Sequence, residues 1–192
     1  MLLVLCLLMP GLVFGLEDPQ ALVIATTDKV LAKLDTEQAQ IKKNPKHIYN
    51  LIDDFVLPHF DFERMSRWVL GKYWRKASKS QQARFLNEFR TLLVRTYASS
   101  LLEFSSQKIV YLPFRGEIEK QDVTIRSEVD QPGSFPIPIN YRLHVKDGKW
   151  LVYDVTIDDI SLIANYRTSF STEIRKNGID KLISQLADKN AG

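Results

Sequence analysis

The sequence predicts an α+β fold, in which helices pack against a curved antiparallel sheet of about four to five strands. Three observations support this prediction. Apolar residues recur at helical spacing from Pro19 to Phe104. From Lys108 the period changes to two, and apolar residues alternate with polar ones from Val123 to Val129 and from Ile139 to Lys146, which is typical of strands. Ser161 then begins a second helical region that extends to about Lys189.

Two start signals of the same kind open the N-terminal helices. In Asp18-Pro19 a capping residue precedes a proline at the first helical position, and the helical pattern continues to about Lys43. Asn44-Pro45 repeats the signal and opens a second helix, which Pro58 limits. We therefore expect two helices in this region, with the break between them near Asn44.

The remaining helices also have recognisable ends. Asp61 caps a short third helix, and Gly71 is its expected C-terminal stop. The residues Ser78 to Gln81 fit a capping box that opens a long amphipathic helix. Ser161 caps the helix after the strands, and Gly178 separates it from a last helix.

Four consecutive strands joined by short loops are predicted, the first around Ile109 to Phe114. A turn at Gln131 to Ser134 separates the second strand from the third, and Asp147-Gly148 suits a two-residue type I′ hairpin between the third and the fourth. The alternating apolar residues of the second and third strands are Val123, Ile125 and Val129, then Ile139, Tyr141, Leu143 and Val145.

The fourth strand, Trp150 to Ile157, is apolar on both faces. The register that the hairpin sets places Tyr141 opposite Asp154, and it puts Val152 and Val155 on opposite faces of the sheet. A strand that is apolar on both faces must be covered on both faces. Helices are expected to cover one face of the sheet. The other face needs a different covering layer, for which a bound ligand is one candidate.

The N-terminal segment has the features of a cleaved secretory signal peptide. Residues 2 to 14 contain no charge, and the segment Met1 to about Gly15 is shorter than the ~20 apolar residues that span a bilayer. Its removal also removes Cys6, so that the mature chain forms no internal disulfide. We expect residues 16–192 to form one domain, with a helical part (16–105) and a part that contains the sheet and the C-terminal helices (106–192).

Basic residues concentrate in one segment, although the net charge is only +3. Between Asp61 and Tyr97 there are nine Lys and Arg against three Asp and Glu. This segment is either a solvated helix face or a docking surface for acidic partners or anionic head groups. Because no helix-turn-helix, zinc or RNP-type motif accompanies the charge, nucleic-acid binding is not indicated. The candidate docking residues are Lys72, Arg75, Lys76 and Arg84.

The sequence contains no catalytic or metal-binding signature. There is no G-x-S-x-G elbow, phosphate-binding glycine loop or H-E-x-x-H motif, and we expect neither a metal nor a cofactor. Asp154 is the one candidate for chemistry, because a carboxylate among apolar neighbours needs a donor. It is either a general base in a pocket or the acceptor of a structural hydrogen bond, for example from Tyr141 or Arg167. The histidines share no spacing of metal ligands; they are His47, His59 and His144.

Three blocks resemble the MlaC family in order and spacing. They are WVLGKYWRKAS from Trp68 to Ser78, WLVYDVTIDDISLIANYRTSF from Trp150 to Phe170, and the segment from Gly178 to Lys189. The resemblance covers about Ala21 to Asn190. These proteins, also known as toluene-tolerance proteins, are periplasmic phospholipid carriers that maintain outer-membrane lipid asymmetry. The resemblance therefore implies a periplasmic protein that is not an enzyme, with a nuclear-transport-factor-like cone and added N-terminal helices.

The same resemblance implies the ligand and the partners. It places the acyl chains of a phospholipid between the sheet and the helices. It implies lipid exchange with an outer-membrane lipoprotein–porin complex and with the substrate-binding subunit of an inner-membrane ABC transporter; we expect a monomer. The candidate lipid-binding residues are Trp68, Tyr73, Trp74, Phe89, Leu93, Tyr97, Tyr141, Leu143, Val152, Val155, Ile163, Tyr166 and Phe170.

These aromatic and apolar residues would also suit a plain core. Two other functions therefore remain open at this point. One is a small-molecule enzyme of the isomerase or dehydratase type, with Asp154 as a base in a cone-shaped pocket. The other is a periplasmic chaperone or interaction module with a solid core.

Overall fold

The computed structural model describes residues 16–104 and 106–191, and the predicted signal peptide lies outside them. Helices come first: α1 (Pro19–Thr36), α2 (Gln38–Lys43), α3 (His47–Phe55), α4 (Phe62–Leu70) and α5 (Lys79–Phe104). The strands follow: β1 (Ile109–Tyr111), β2 (Asp122–Val129), β3 (Ile137–Lys146), β4 (Lys149–Ile157) and β5 (Ile160–Ser161). The helices α6 (Leu162–Asn177) and α7 (Ile179–Ala191) complete the order. The predicted α+β class is confirmed.

Side-chain caps form at the starts of α1, α4, α5 and α6, whereas α3 begins at His47 without a side-chain cap, so the predicted start at Asn44-Pro45 is wrong. Asp18, Asp61 and Ser161 each accept a hydrogen bond from a backbone amide in the first turn of α1, α4 and α6. Ser78 and Gln81 form the reciprocal capping box of α5, with distances of 3.1 and 2.9 Å. Within the described residues, no helix is long and apolar enough to cross a membrane.

The first predicted helix is divided in the structure. α1 and α2 are separated at Glu37, so the prediction of one helix continuing to Lys43 is wrong. The Glu37 carboxylate lies 2.6 Å from Nε2 of His47 and 3.3 Å from Nζ of Lys33. Ile41 of α2 is buried against α1 and α3. Because His47 and this apolar cluster lie beyond the local pattern, the helical periodicity does not reveal the break.

The sheet is antiparallel, and its described strands lie in the order β1-β2-β3-β4-β5. The hairpin Asp147-Gly148 joins β3 to β4, and both of its residues have positive φ, 51° and 74°, as a type I′ turn requires. Val145 pairs with Trp150 and Leu143 with Val152, as the turn predicts.

A β-bulge then changes the register of β4. The shift occurs between Arg142 and Leu143 of β3, and Tyr153 is the extra residue on β4. Beyond the bulge, Tyr141 lies opposite Val155, so the predicted pairing of Tyr141 with Asp154 is wrong. Since successive side chains alternate between the faces of a sheet, one extra residue moves the later side chains of β4 to the other face.

A buried polar contact ties α4 to the face of the sheet that carries His144 and Tyr153, here called the outer face. Asp61, only 5% exposed, accepts a hydrogen bond from Nε2 of His144 at 3.0 Å, and Nζ of Lys146 lies 3.4 Å away. Burial alone would raise the pKa of Asp61, but the Arg64 amide, Lys146 and His144 lower it overall. Burial and the charge of Arg64 lower the pKa of His144 overall, against the opposing effects of Asp61 and Asp122.

Candidate binding cavity

A cavity of about 420 Å³ lies between the helices α1, α3 and α5 and the inner face of the sheet, which is the face opposite His144. This volume is within the range of ~300–1,000 Å³ that is typical of small-molecule sites. Among the described residues, no Asp, Glu, Lys or Arg lines the cavity. Such a lining suits an apolar ligand, because every charged group that entered it would lose its hydration without a partner.

The sheet wall of the cavity is built by β3 and β4. Tyr141 and Leu143 point inward from β3, and Val152 and Val155 point inward from β4. The sequence predicts Val152 and Val155 on opposite faces, which is wrong. The Tyr153 bulge lies between them and returns Val155 to the inner face, where it extends the apolar wall.

The structure separates the predicted lipid-binding residues into two groups. Those that line the cavity are Leu93, Tyr97, Tyr141, Leu143, Val152 and Val155. Those that do not are Trp68, Tyr73, Trp74, Phe89, Ile163, Tyr166 and Phe170. Whether any of them contacts a lipid remains a prediction, and the cavity-lining group is the one whose position suits that role.

The second group belongs to a tightly packed aromatic cluster between α4, α5, α6 and α7 or to its edge. Phe89 is fully buried, and its ring lies 5.4 Å from Tyr166 and 6.0 Å from Phe170. Trp68 is 38% exposed on the outer face, 5.2 Å from the ring of Tyr153. These rings already contact one another at the separations that aromatic pairs prefer, so they act as core in this structure.

Several cavity residues were not among the predicted ones. One group lies on the side of α1 that faces the sheet: Leu22, Val23, Thr26, Thr27, Val30 and Leu31. The other group consists of β-branched residues near the ends of the strands: Ile109, Val129, Ile137, Ile139 and Ile157. The signal for them was present in the sequence, as helical spacing in α1 and as alternation in β2 and β3. This periodicity identifies the apolar side of a helix or strand, but it does not show whether that side packs against other side chains or faces a cavity.

The few polar side chains in the cavity wall are neutral. Burial raises the pKa of Tyr97 to about 12, and the neighbouring Tyr166 adds to this effect. Burial also raises the pKa of Tyr141 far above its usual value. For His59, burial lowers the pKa, while Glu17 raises it and Lys29 lowers it further. The cavity therefore offers neutral hydroxyl and imidazole groups in an apolar wall.

Comparison with known proteins identifies the family of the chain. The family described as "MlaC protein" matches residues 25–188, which is most of the 192 residues. The chain belongs to the MlaC protein family. The predicted resemblance is thereby confirmed, and the family includes proteins whose names concern lipid transport and toluene tolerance.

Two named relatives and one solved structure resemble this MlaC family member. The toluene tolerance protein ttg2D of Pseudomonas putida is 29% identical over 99% of this chain and 89% of its own length. The intermembrane phospholipid transport system binding protein MlaC of Haemophilus influenzae is 28% identical over 88% of this chain and 80% of its own. A phospholipid-binding protein from Ralstonia solanacearum, solved in complex with a phospholipid at 1.53 Å, is 32% identical, with a TM-score of 0.84 over 91% of this chain and 98% of its own.

Asp154 has a structural role in this member of the family. Its carboxylate accepts hydrogen bonds from the Ser161 hydroxyl at 2.7 Å and from the Ile163 amide at 3.2 Å, and it does not line the cavity. Of the two predicted roles, Asp154 therefore has that of an acceptor of structural hydrogen bonds. The donors predicted for it, Tyr141 and Arg167, are wrong. Asp154 therefore fastens the start of α6 to β4. Among the described residues, no group of three or more His, Cys, Asp or Glu could hold a metal ion.

We expect Asp154→Ala to lower the free energy of unfolding by about 2 kcal/mol, because the variant leaves a buried amide and hydroxyl without their acceptor. Urea unfolding measures this change. Asp130→Ala, which removes an exposed loop carboxylate, is the control and should change stability by less than about 0.5 kcal/mol. An unaltered unfolding midpoint for Asp154→Ala would show that the bonds to α6 contribute nothing.

The predicted docking residues lie away from the cavity. Lys72, Arg75 and Lys76 are exposed in the segment between α4 and α5. No carboxylate of the described residues lies within 4.0 Å of them, whereas Arg84 forms an ion pair with Asp180 of α7. The first three cations therefore have no internal carboxylate partner, although Nζ of Lys72 lies 5.3 Å from the centroid of the Tyr73 ring, and Arg84 is already paired within the protein.

Proposed function

We propose that this protein is a periplasmic carrier that binds phospholipid by its acyl chains in the cavity between α1, α3, α5 and the sheet. The proposal rests mainly on one observation, a cavity of about 420 Å³ that no charged side chain of the described residues lines. The similarity to a protein solved with a bound phospholipid supports it. On this proposal residues 16–192 act as one lipid-binding domain, and the head group stays near solvent.

Burial of the acyl chains supplies the binding free energy. Each CH₂ group moved from water into the cavity contributes about 0.8 kcal/mol, so ten of them contribute about 8 kcal/mol. A ligand held in this way leaves slowly into water, where its chains would be exposed again. The carrier therefore needs partners that offer a second apolar environment.

The partners that we propose are membrane complexes on both sides of the periplasm. One is an outer-membrane lipoprotein–porin complex, and the other is the substrate-binding subunit of an inner-membrane ABC transporter. The carrier would move phospholipid between them as a monomer and so maintain the lipid asymmetry of the outer membrane. On this proposal the protein binds and transports phospholipid. The alternative of an enzyme with Asp154 as its base loses its support, because Asp154 is engaged by α6 and does not line the cavity.

The lipid content of the purified protein tests this function. Organic extraction followed by mass spectrometry should yield phospholipid from the folded protein. A solid-core interaction module would yield none.

A further inference from the structure

The sheet wall of the cavity becomes more exposed toward one end of the sheet. Near the hairpin between β3 and β4, the lining residues Leu143 and Val152 are buried. Toward the start of β3 and the end of β4, the lining residues are only half-buried; they are Ile137, Ile139 and Ile157. Because exposure rises in this direction along the same wall, the cavity opens at the end of the sheet where β2 joins β3 and β4 joins β5, here called the open end.

Two strongly exposed apolar side chains lie at the open end. Phe135, in the loop between β2 and β3, is 91% exposed, and Ile160, the first residue of β5, is 59% exposed. Phe135 is two residues before Ile137 of the cavity wall, and Ile160 pairs with Ile157 of the same wall. Single exposed apolar residues are common on protein surfaces, but two that flank the route of an apolar ligand indicate a contact surface.

The loops that carry these side chains are acidic. The segments 130–136 and 158–159 contain no Lys or Arg but three exposed carboxylates, Asp130, Asp158 and Asp159. Among the described residues, none of the three lies within 4.0 Å of a basic nitrogen. The neighbouring parts of the chain add one charge of each sign, Lys108 and Glu128. The open end is therefore acidic, although the net charge of the chain is +3.

The apolar and acidic features together select the kind of molecule that fits the open end. A bilayer with anionic lipids would accept Phe135 but repel the carboxylates beside it. A protein that presents an apolar surface bordered by Lys or Arg satisfies both features, since the apolar contact supplies affinity and the opposite charges orient the approach.

We propose that the open end, with Phe135 and Ile160 at its edge, docks onto a protein that presents an apolar surface bordered by basic residues and that exchanges lipid with the cavity. This inference rests on the proposed function, because it assigns a surface and a charge to a partner of the carrier. The exposed cations Lys72, Arg75 and Lys76 have the opposite sign, so the two surfaces suit acceptor surfaces of opposite charge.

The test measures transfer of a fluorescent phospholipid from the loaded carrier to two kinds of acceptor. One is fragments of the native cell envelope, whose membranes contain their proteins, and the other is vesicles made only from the lipids of the same membranes. We expect Phe135→Ser with Ile160→Ser to slow transfer to the envelope fragments roughly ten-fold or more. Transfer to the protein-free vesicles should stay within about two-fold of the wild type. The lipid content should stay normal, because neither residue lines the cavity.

Val110→Ser is the matched control for this variant. Val110 is also an exposed apolar residue, but it follows the inward-facing Ile109 on β1, lies on the outer face and does not line the cavity. Its transfer to both acceptors should match that of the wild type.

A second pair of variants tests the acidic charge. Asp158→Asn with Asp159→Asn should slow transfer to the envelope fragments at low salt. Asn tolerates the positive φ of these two residues, 49° and 60°. The control is Asp147→Asn with Asp188→Asn, which removes two exposed carboxylates outside the open end, one of them in the hairpin at the opposite end of the sheet.

The outcomes separate this inference from the proposed function. Wild-type transfer by the Phe135 and Ile160 double variant would overturn the docking surface, and equal slowing with both acceptors would replace the protein partner by the lipid surface itself. Unchanged transfer by the Asp158 and Asp159 double variant would overturn the basic border of the partner. A folded wild type that carries no phospholipid would overturn the proposed function. Slowing that is confined to the envelope fragments and absent from both controls supports the inference.

Discussion

Val155→Trp is expected to lose most of its bound phospholipid and to remain folded. Val155 lines the cavity from β4 and is 8% exposed. Because its side chain points into a space of about 420 Å³, an indole at this position occupies the room that the acyl chains need instead of displacing packed neighbours. Trp is also well tolerated in strands. The ratio of phospholipid to protein, measured after organic extraction, should fall about ten-fold or more.

Thr156→Trp is the matched control for this experiment. Thr156 is the next residue on β4, it is half-buried, and it does not line the cavity. The same large side chain is then placed on the opposite face of the same strand. Lipid content should stay close to that of the wild type, and circular dichroism should show that both variants are folded. If the folded Val155→Trp protein kept its normal lipid content, β4 would not form part of the wall of the lipid site.

Lys72→Glu combined with Arg75→Glu is expected to slow lipid transfer to a partner by roughly ten-fold at low salt. Both cations are exposed and have no carboxylate within 4.0 Å among the described residues, so their field is available to an acidic partner. The wild-type rate should itself fall as salt is raised, because the Debye length is about 10 Å at 0.1 M. Stability should change by only about 0–1 kcal/mol, as for other exposed charges.

The control for the charge reversal is Lys181→Glu with Lys189→Glu, which changes two exposed lysines of α7 by the same amount. Transfer by this control should be near the wild-type rate. Both double variants should retain a normal lipid content, since docking and holding use different residues. If the Lys72 and Arg75 double variant transferred lipid at the wild-type rate in low salt, the basic segment would be a solvated helix face and not a docking surface.

The elements of the fold could be predicted where the signal is local. The caps at Asp61, Ser78 and Ser161 form as predicted, because a capping bond depends on residues within one turn. The break at Glu37 and the bulge at Tyr153 could not be predicted. The Glu37 carboxylate contacts His47, ten positions away, and the Tyr153 hydroxyl donates a hydrogen bond to Asp122 at 2.8 Å across the sheet. Both contacts lie outside the local sequence pattern.

The site was harder to predict than the fold for a similar reason. Apolar periodicity identifies Leu143 and Val152 as inward-facing, and both line the cavity. It gives the same signal for Phe89 and Phe170, whose rings instead pack against each other in the aromatic cluster. Whether an apolar face meets protein or empty space depends on how the helices are arranged in three dimensions, and the period of the sequence does not contain that information.

The most direct test of the central claim is the lipid content of the wild-type protein, purified without detergent and shown to be folded. Organic extraction and mass spectrometry should yield phospholipid in stoichiometric proportion to the protein, because an apolar cavity of about 420 Å³ holds acyl chains too strongly for them to be lost to water during purification. The account would be contradicted by a folded protein that yields no phospholipid and takes none up from phospholipid vesicles.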